Sequence, residues 1–270
     1  MKTRILAAMV LVPVLVLVLL VAPVYVAAAV VGLMCGIASY ELLYGTGLVK
    51  HPRLNVYSAV MAFCISAWSY WGNSRFAVLC LLVYVLLLFV ELLASNLKMD
   101  IRDICLCLFS GLVVPYMISA LVRILQFTNG RFLIFIPFLM AFLSDTGAYF
   151  VGVFFGKHKL CPAISPKKTV EGFFGGIATA IVGMVIFGLV MEFAFGFRVN
   201  YLLAVLYGLL GSVAGVMGDL TMSVIKRQTG IKDYGKLIPG HGGILDRFDS
   251  VMITAPLTEA LLVLIVPFMV

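Results

Sequence analysis

Asp219, Ser223 and Lys226 stand at i, i+4 and i+7 of one apolar stretch. A helix would therefore carry a carboxylate, a hydroxyl and a cation on one face. At about 1.5 Å per residue, the carboxylate lies roughly 10 Å along the axis from the ammonium. Such a stripe matches the needs of a metal–phosphate site; the plainer alternative is a polar stripe lining a water-filled cavity. Downstream, Pro239-Gly240-His241-Gly242-Gly243 reads as a turn. Its glycines would let backbone N–H groups approach a ligand. It leads into Asp246-Arg247-Phe248-Asp249, where Asp246 and Asp249 share a helical face. Mg²⁺ takes one or two such carboxylates together with substrate phosphates, although acids in a first helical turn also serve as caps. Lys226, Arg227, Lys232 and Lys236, four basic residues in eleven positions, could simply hold the loop at an anionic membrane surface.

A second polar block contains Gly156-Lys157 and Ser165-Pro166-Lys167-Lys168-Thr169-Val170-Glu171-Gly172. The G-x-x-x-x-G-K-[ST] pattern is absent and no strand is expected before it, so this is not a phosphate loop of that kind. Two readings stand: a basic loop that orients the chain, or a triphosphate grip made by Lys167, Lys168 and Thr169. Acids within apolar stretches are costly and mark candidate sites; here they are Glu41, Glu91, Asp145, Glu192, Asp219 and Glu259. For Glu41, Glu91 and Glu192 the plain reading is a helix-end side chain reaching water or a neighbouring base. Asp145 either reaches the site or pairs with one of the lysines.

The elements that position these residues must lie in a membrane. Of 270 residues, 63% are hydrophobic and 11% charged, against about 45–50% and about 25% in soluble domains. That excludes a water-soluble globule, a disordered chain and a nucleic-acid-binding domain. A crossing helix needs about 20 apolar residues. Apolar runs between polar breaks give nine spans, 5–21, 24–45, 55–71, 76–96, 103–124, 132–155, 172–195, 200–224 and 247–268. The expected fold is an all-α polytopic membrane helix bundle. The first run is read as a span and not a signal peptide, because the apolar pattern continues after it.

With the N-terminus in the cytoplasm, 15 basic residues fall inside and four outside (Arg75, Arg123, Arg131 and Arg198), which accounts for all 19. The positive-inside rule favours that orientation. It makes the polar loops 156–171 and 226–246 cytoplasmic. Residues 1–130 carry no chemical motif and are read as N-terminal helices; 131–270 form the catalytic region. The six cysteines include no CxxC pair and are read as small buried hydrophobes. Gly172, Gly175 and Gly176, and likewise Gly211, Gly215 and Gly218, are read as helix-packing faces.

Ser223-x-x-Lys226-Arg227, Lys232-Asp233 and His241-Gly242-Gly243-x-x-Asp246-Arg247-x-Asp249 resemble the pattern of phosphatidate cytidylyltransferases, also called CDP-diacylglycerol synthases, over 27 consecutive positions. Asp145 to Gly152, Gly156-Lys157 and Ser165 to Gly172 resemble the same family. The resemblance implies that CTP and phosphatidate give CDP-diacylglycerol and pyrophosphate, with Mg²⁺ required. The phosphate monoester of phosphatidate, with a second pKa near about 6, is largely dianionic at neutral pH and needs no general base.

On that reading Asp219 and Asp246 ligate Mg²⁺, with Asp249 as a third ligand or behind it. There is room for a second cation, divalent or monovalent such as K⁺. Ser223 binds metal or a phosphate oxygen, and Lys226, Arg227, Lys232 and Arg247 neutralise phosphates. Lys167, Lys168 and Thr169 hold the CTP tail, and His241, Gly242 and Gly243 contact phosphate or the metal shell. The partners are CTP, phosphatidate and membrane lipids, without nucleic acid; a homodimer is compatible. The expected location is a bacterial cell membrane. Two rival readings are a CTP-dependent polyprenol or phytol kinase and an ion-coupled transporter using Asp145, Asp219 and Glu259.

Overall fold

The structure, a computed structural model, describes residues 13–238, 240, 242–265, 268 and 269. Helices run over 13–20 (α1), Val24–Gly45 (α2), Pro52–Trp71 (α3), Ser74–Ala94 (α4), Ile101–Ile124 (α5), Gly130–Phe155 (α6), Val170–Phe195 (α7), Tyr201–Gln228 (α8), Leu245–Phe248 (α9) and Val251–Leu264 (α10). Two short antiparallel pairs accompany them, Lys159–Cys161 (β1) with Ser165–Thr169 (β2) and Arg198–Val199 (β3) with Phe268–Met269 (β4). The expected all-α membrane bundle is what the chain forms.

Among the described residues six helices, α2 and α4 to α8, are long and apolar enough to cross a membrane. The other three expected spans differ for separate reasons. Span 5–21 lies partly outside the described residues; within it, 13–20 are helical. α3 has the length for a crossing, with 20 residues, but buries Asn55, Ser58, Ser66 and Ser69. Span 247–268 is interrupted at Asp249 and Ser250, leaving α10 with 14 residues. That is about 21 Å of helix, against a hydrocarbon core of about 30 Å.

The chain divides into two compact units, Met1–Arg131 with Gln228–Phe248, and Phe132–Arg227 with Asp249–Val270. In the first, α2 and α3 approach through Gly32, where a Cβ would lie 2.9 Å from Phe63 Cδ2, and Gly36, where it would lie 3.1 Å from the Ala59 carbonyl oxygen. Ser66 Oγ donates to the Ala28 carbonyl at 2.9 Å. Leu43, Leu54, Met61, Leu88 and Ile104 form the core. Helix ends follow local chemistry: Gly72, at φ 64°, closes α3, and the Asn73 side chain accepts from Arg75 N–H to start α4. A π turn over Phe109–Val113 interrupts α5, and Tyr84 Oη donates to the Cys107 carbonyl at 2.8 Å.

In the second unit both glycine sets pack as expected. A Cβ at Gly172 would lie 2.7 Å from the Ala148 carbonyl oxygen, and one at Gly176 2.8 Å from that of Ser144, so α6 and α7 meet nearly backbone to backbone. Without a hydrophobic force between helices in lipid, such close van der Waals contact is what joins them. α8 docks on α6 through Gly211, where a Cβ would collide with Met140. Ser144 and Ser212 hydroxyls share a 2.6 Å hydrogen bond beside it. α10 is tied to α6 by Thr254 Oγ1 donating to the Pro137 carbonyl at 3.1 Å. All six cysteines are free thiols.

Candidate active site

Residues 159–169, expected as a loop, form the β1–β2 hairpin. Glu171, in the first turn of α7, fastens its base by accepting from the backbone N–H groups of Lys157 and His158 at 3.1 and 3.2 Å and pairing with His158 Nδ1 at 2.6 Å. The hairpin bend is held by Arg227 Nε, which donates to the Ile164 carbonyl at 3.1 Å. Side chains alternate along a strand, so Lys167 and Lys168 diverge. Lys167 is exposed, whereas Lys168 is half-buried and forms an ion pair with Asp219 Oδ2. Thr169 is buried and caps α7 by accepting from Gly172 N–H at 3.1 Å.

Asp219 faces the hairpin because α8 presents it one turn before Ser223, whose hydroxyl donates to Asp219 Oδ1 at 3.2 Å. This is the i, i+4 pair expected from the spacing. Gly218 lets the break between α9 and α10 come close: a Cβ there would collide with the Asp249 carbonyl oxygen. Asp249 Oδ1 accepts from Ser250 N–H at 2.8 Å, and Ser250 Oγ donates to Asp145 Oδ2 at 3.4 Å. The carboxylates of Asp145, Asp219 and Asp249 act on one another electrostatically, with Lys168 acting on Asp145 and Lys226 on Asp249. Of these, Lys168 and Asp219 are in direct contact as an ion pair. Asp145 interacts electrostatically with both Asp219 and Lys168.

In the first unit, Asp246 is buried, and its Oδ2 accepts from the backbone N–H groups of Tyr234 and Gly243 at 2.8 and 3.0 Å. Gly242 is left-handed, at φ 86°, and a Cβ there would lie 2.8 Å from the same oxygen. Lys232 and Arg247 are exposed. His241 lies outside the described residues. Among the described residues no group of three or more His, Cys, Asp or Glu side chains stands arranged to hold a metal ion. Asp219 pairs with Lys168 and accepts from Ser223, Asp246 accepts from two amides, and Asp249 accepts from the amide that follows it.

Glu41 differs from its expected role. It is buried, 6% exposed, and does not reach water; its oxygens accept from Ile244 and Leu245 N–H at 3.1 and 3.0 Å. Glu91 does pair with a base, Arg53, at 3.5 Å, and Glu192 accepts from the Tyr201 hydroxyl. Ser250, the link between Asp145 and Asp249, carried no sequence signal, since one serine in an apolar run has no spacing partner. Glu41 carried one, the cost of an acid in an apolar helix.

A family model described as the cytidylyltransferase family matches residues 2–265. A phosphatidate cytidylyltransferase of Staphylococcus haemolyticus is 37% identical over 235 residues, covering 86% of this chain and 87% of that protein. A phosphatidate cytidylyltransferase of Staphylococcus epidermidis is 49% identical over 133 residues, 49% of each chain. Another, from Staphylococcus saprophyticus, is 46% identical over 136 residues, 50% of this chain and 51% of that protein.

Proposed function

The chain belongs to the cytidylyltransferase family, and from that premise we propose that it transfers the cytidylyl group of CTP to phosphatidate in the membrane of a bacterial cell. A phosphate oxygen of the lipid bonds to the α-phosphorus of CTP. The bond from that phosphorus to the oxygen bridging to the β-phosphate breaks, and its electrons leave with pyrophosphate. The products are CDP-diacylglycerol and pyrophosphate. The attacking phosphate is already largely dianionic, with a second pKa near about 6, so no residue has to remove a proton.

The obstacle is electrostatic, a dianion approaching a polyanion, and preorganised positive charge answers it. Lys168 and Lys226 stand beside the acids of the second unit. Together with Arg227, Lys232 and Arg247 they would bind the phosphates of CTP and lipid. Gly242 and Gly243, with His241, would contact phosphate through the turn. Carboxylate oxygens are the donors that hard divalent ions prefer, and the Asp145, Asp219 and Asp249 cluster fits Mg²⁺ in donor chemistry. Asp219 and Asp249 would hold the ion; Asp246 is assigned to it on the motif, with room for a second cation. When bound, Mg²⁺ supplies charge neutralisation on the phosphate oxygens. Ser223 holds Asp219 in orientation through its hydroxyl. The basic loops support a cytoplasmic face for this chemistry, by the positive-inside rule.

The observation that carries this reading is the cluster of Asp219, Asp249 and Asp145 with Lys168. Purified protein incubated with phosphatidate, Mg²⁺ and CTP labelled on cytosine should place the label in the extracted lipid and release pyrophosphate. Lipid labelled only from the γ-phosphate would mean a kinase, and flux without pyrophosphate a transporter; either result overturns the proposal.

A further inference from the structure

Two carboxylates from distant parts of the sequence hold the backbone at Tyr234 and from Gly243 to Leu245. Asp246 accepts from Tyr234 and Gly243 N–H, and Glu41 accepts from Ile244 and Leu245 N–H. Three consecutive amides, 243 to 245, are thus bound by acids just before Asp246 and Arg247. A segment this rich in glycine loses much conformational entropy when it adopts one shape. Charge-assisted hydrogen bonds of this kind are roughly twice as strong as neutral ones.

The surroundings of Glu41 are shaped for its carboxylate. It begins a π turn, Glu41–Gly45, at the end of α2. Such turns shift a helix's register locally and recur at functional sites. A Cβ at Gly235 or Gly243 would collide with the Glu41 carboxylate, and one at Gly45 with the Tyr234 carbonyl oxygen. Glycine at 45, 235 and 243 therefore lets the segment close on the end of α2.

We infer that Glu41 is a positioning residue for the reaction, acting through the Gly243–Leu245 backbone to fix the direction of Asp246 and Arg247. The catalytic consequence rests on the function proposed above; the structural one does not. Glu41→Gln keeps the size but offers one acceptor, and its amide group meets a donor. Glu41→Asp keeps the charge on a shorter stem.

The test measures hydrogen exchange by mass spectrometry on detergent-solubilised full chain, alongside kcat, KM for CTP, and Mn²⁺ binding followed by electron paramagnetic resonance. In Glu41→Gln, exchange in peptides covering 242–247 should rise at least tenfold while α3 and α5 stay protected. Mn²⁺ should bind at least fivefold more weakly, and kcat should fall at least tenfold with KM for CTP within threefold. Glu41→Asp should recover part of each loss. Wild-type exchange and kcat in Glu41→Gln would overturn the inference, as would exchange rising equally in α3 and α5 in both variants. A wild-type protein without cytidylyl transfer, but with the local exchange effect, would sink the proposed function and leave the role of Glu41 in the segment standing.

Discussion

Asp219 is where charge, hydrogen bonding and spacing meet. Replacing it with Asn keeps the shape and the Ser223 contact but removes the partner of Lys168. Removing one preorganised electrostatic group from an active site costs roughly 100- to 1,000-fold in rate. Asp219→Asn should therefore lose cytidylyl transfer by at least that factor in a labelled-CTP assay while its unfolding temperature in detergent stays near wild type. The two adjacent lysines give a sharper contrast. Lys168→Met should raise KM for CTP at least tenfold, whereas Lys167→Met, on the opposite face of β2, should change it less than threefold. Equal effects would mean that the hairpin does not separate them. The Asp219–Ser223 pair was legible in the sequence, because residues four apart on a helix face must be neighbours. The link from Glu41 to Leu245 was not: 204 residues separate them, and no local periodicity encodes such a contact.

Glycines on α8 set how closely the next elements approach. A Cβ at Gly215 would lie 3.5 Å from Thr254 Cγ2, an ordinary contact, but at Gly218 it would strike the backbone oxygen of Asp249. Overpacking a tight contact costs about 1–3 kcal/mol. Gly218→Ala should lower the unfolding temperature and the activity together, and Gly215→Ala should leave both near wild type; thermal unfolding and turnover on the same preparations decide it. Thr169→Ala removes the cap of α7 and should cost about 1 kcal/mol of stability, read as a lower unfolding midpoint. Long apolar runs made the helices legible, since lipid leaves the backbone few alternatives to helix. The β1–β2 hairpin was hidden because its strands have three and five residues and Pro166 cannot donate to a ladder. The break before α10 was hidden because Asp249 and Ser250 read equally well as a first helical turn.

At the scale of the whole molecule the 15-to-4 distribution of basic residues predicts orientation. In a variant with its six cysteines replaced, a new cysteine at Lys232 should react with a membrane-impermeant thiol reagent only from the cytoplasmic side. One at Arg198 should react only from the opposite side. The reverse pattern would invert the proposed topology. Composition alone made the membrane class legible, whereas the grouping of Gln228–Phe248 with the first unit required coordinates. That segment contains two of the family-like motifs, and its Ile244 and Leu245 amides donate to Glu41 at the end of α2.

The ion pair between Lys168 and Asp219 has a consequence for the order of loading. One ammonium cannot serve two acids fully, so a triphosphate that draws on Lys168 leaves Asp219 with charge to spare, and a divalent ion that occupies Asp219 frees Lys168 for phosphate. Thermodynamic reciprocity makes each ligand raise the affinity for the other by the same factor. On the function proposed above, a stray divalent ion arriving without nucleotide then competes poorly for an acid already matched by its own lysine, and nucleotide and metal would load together.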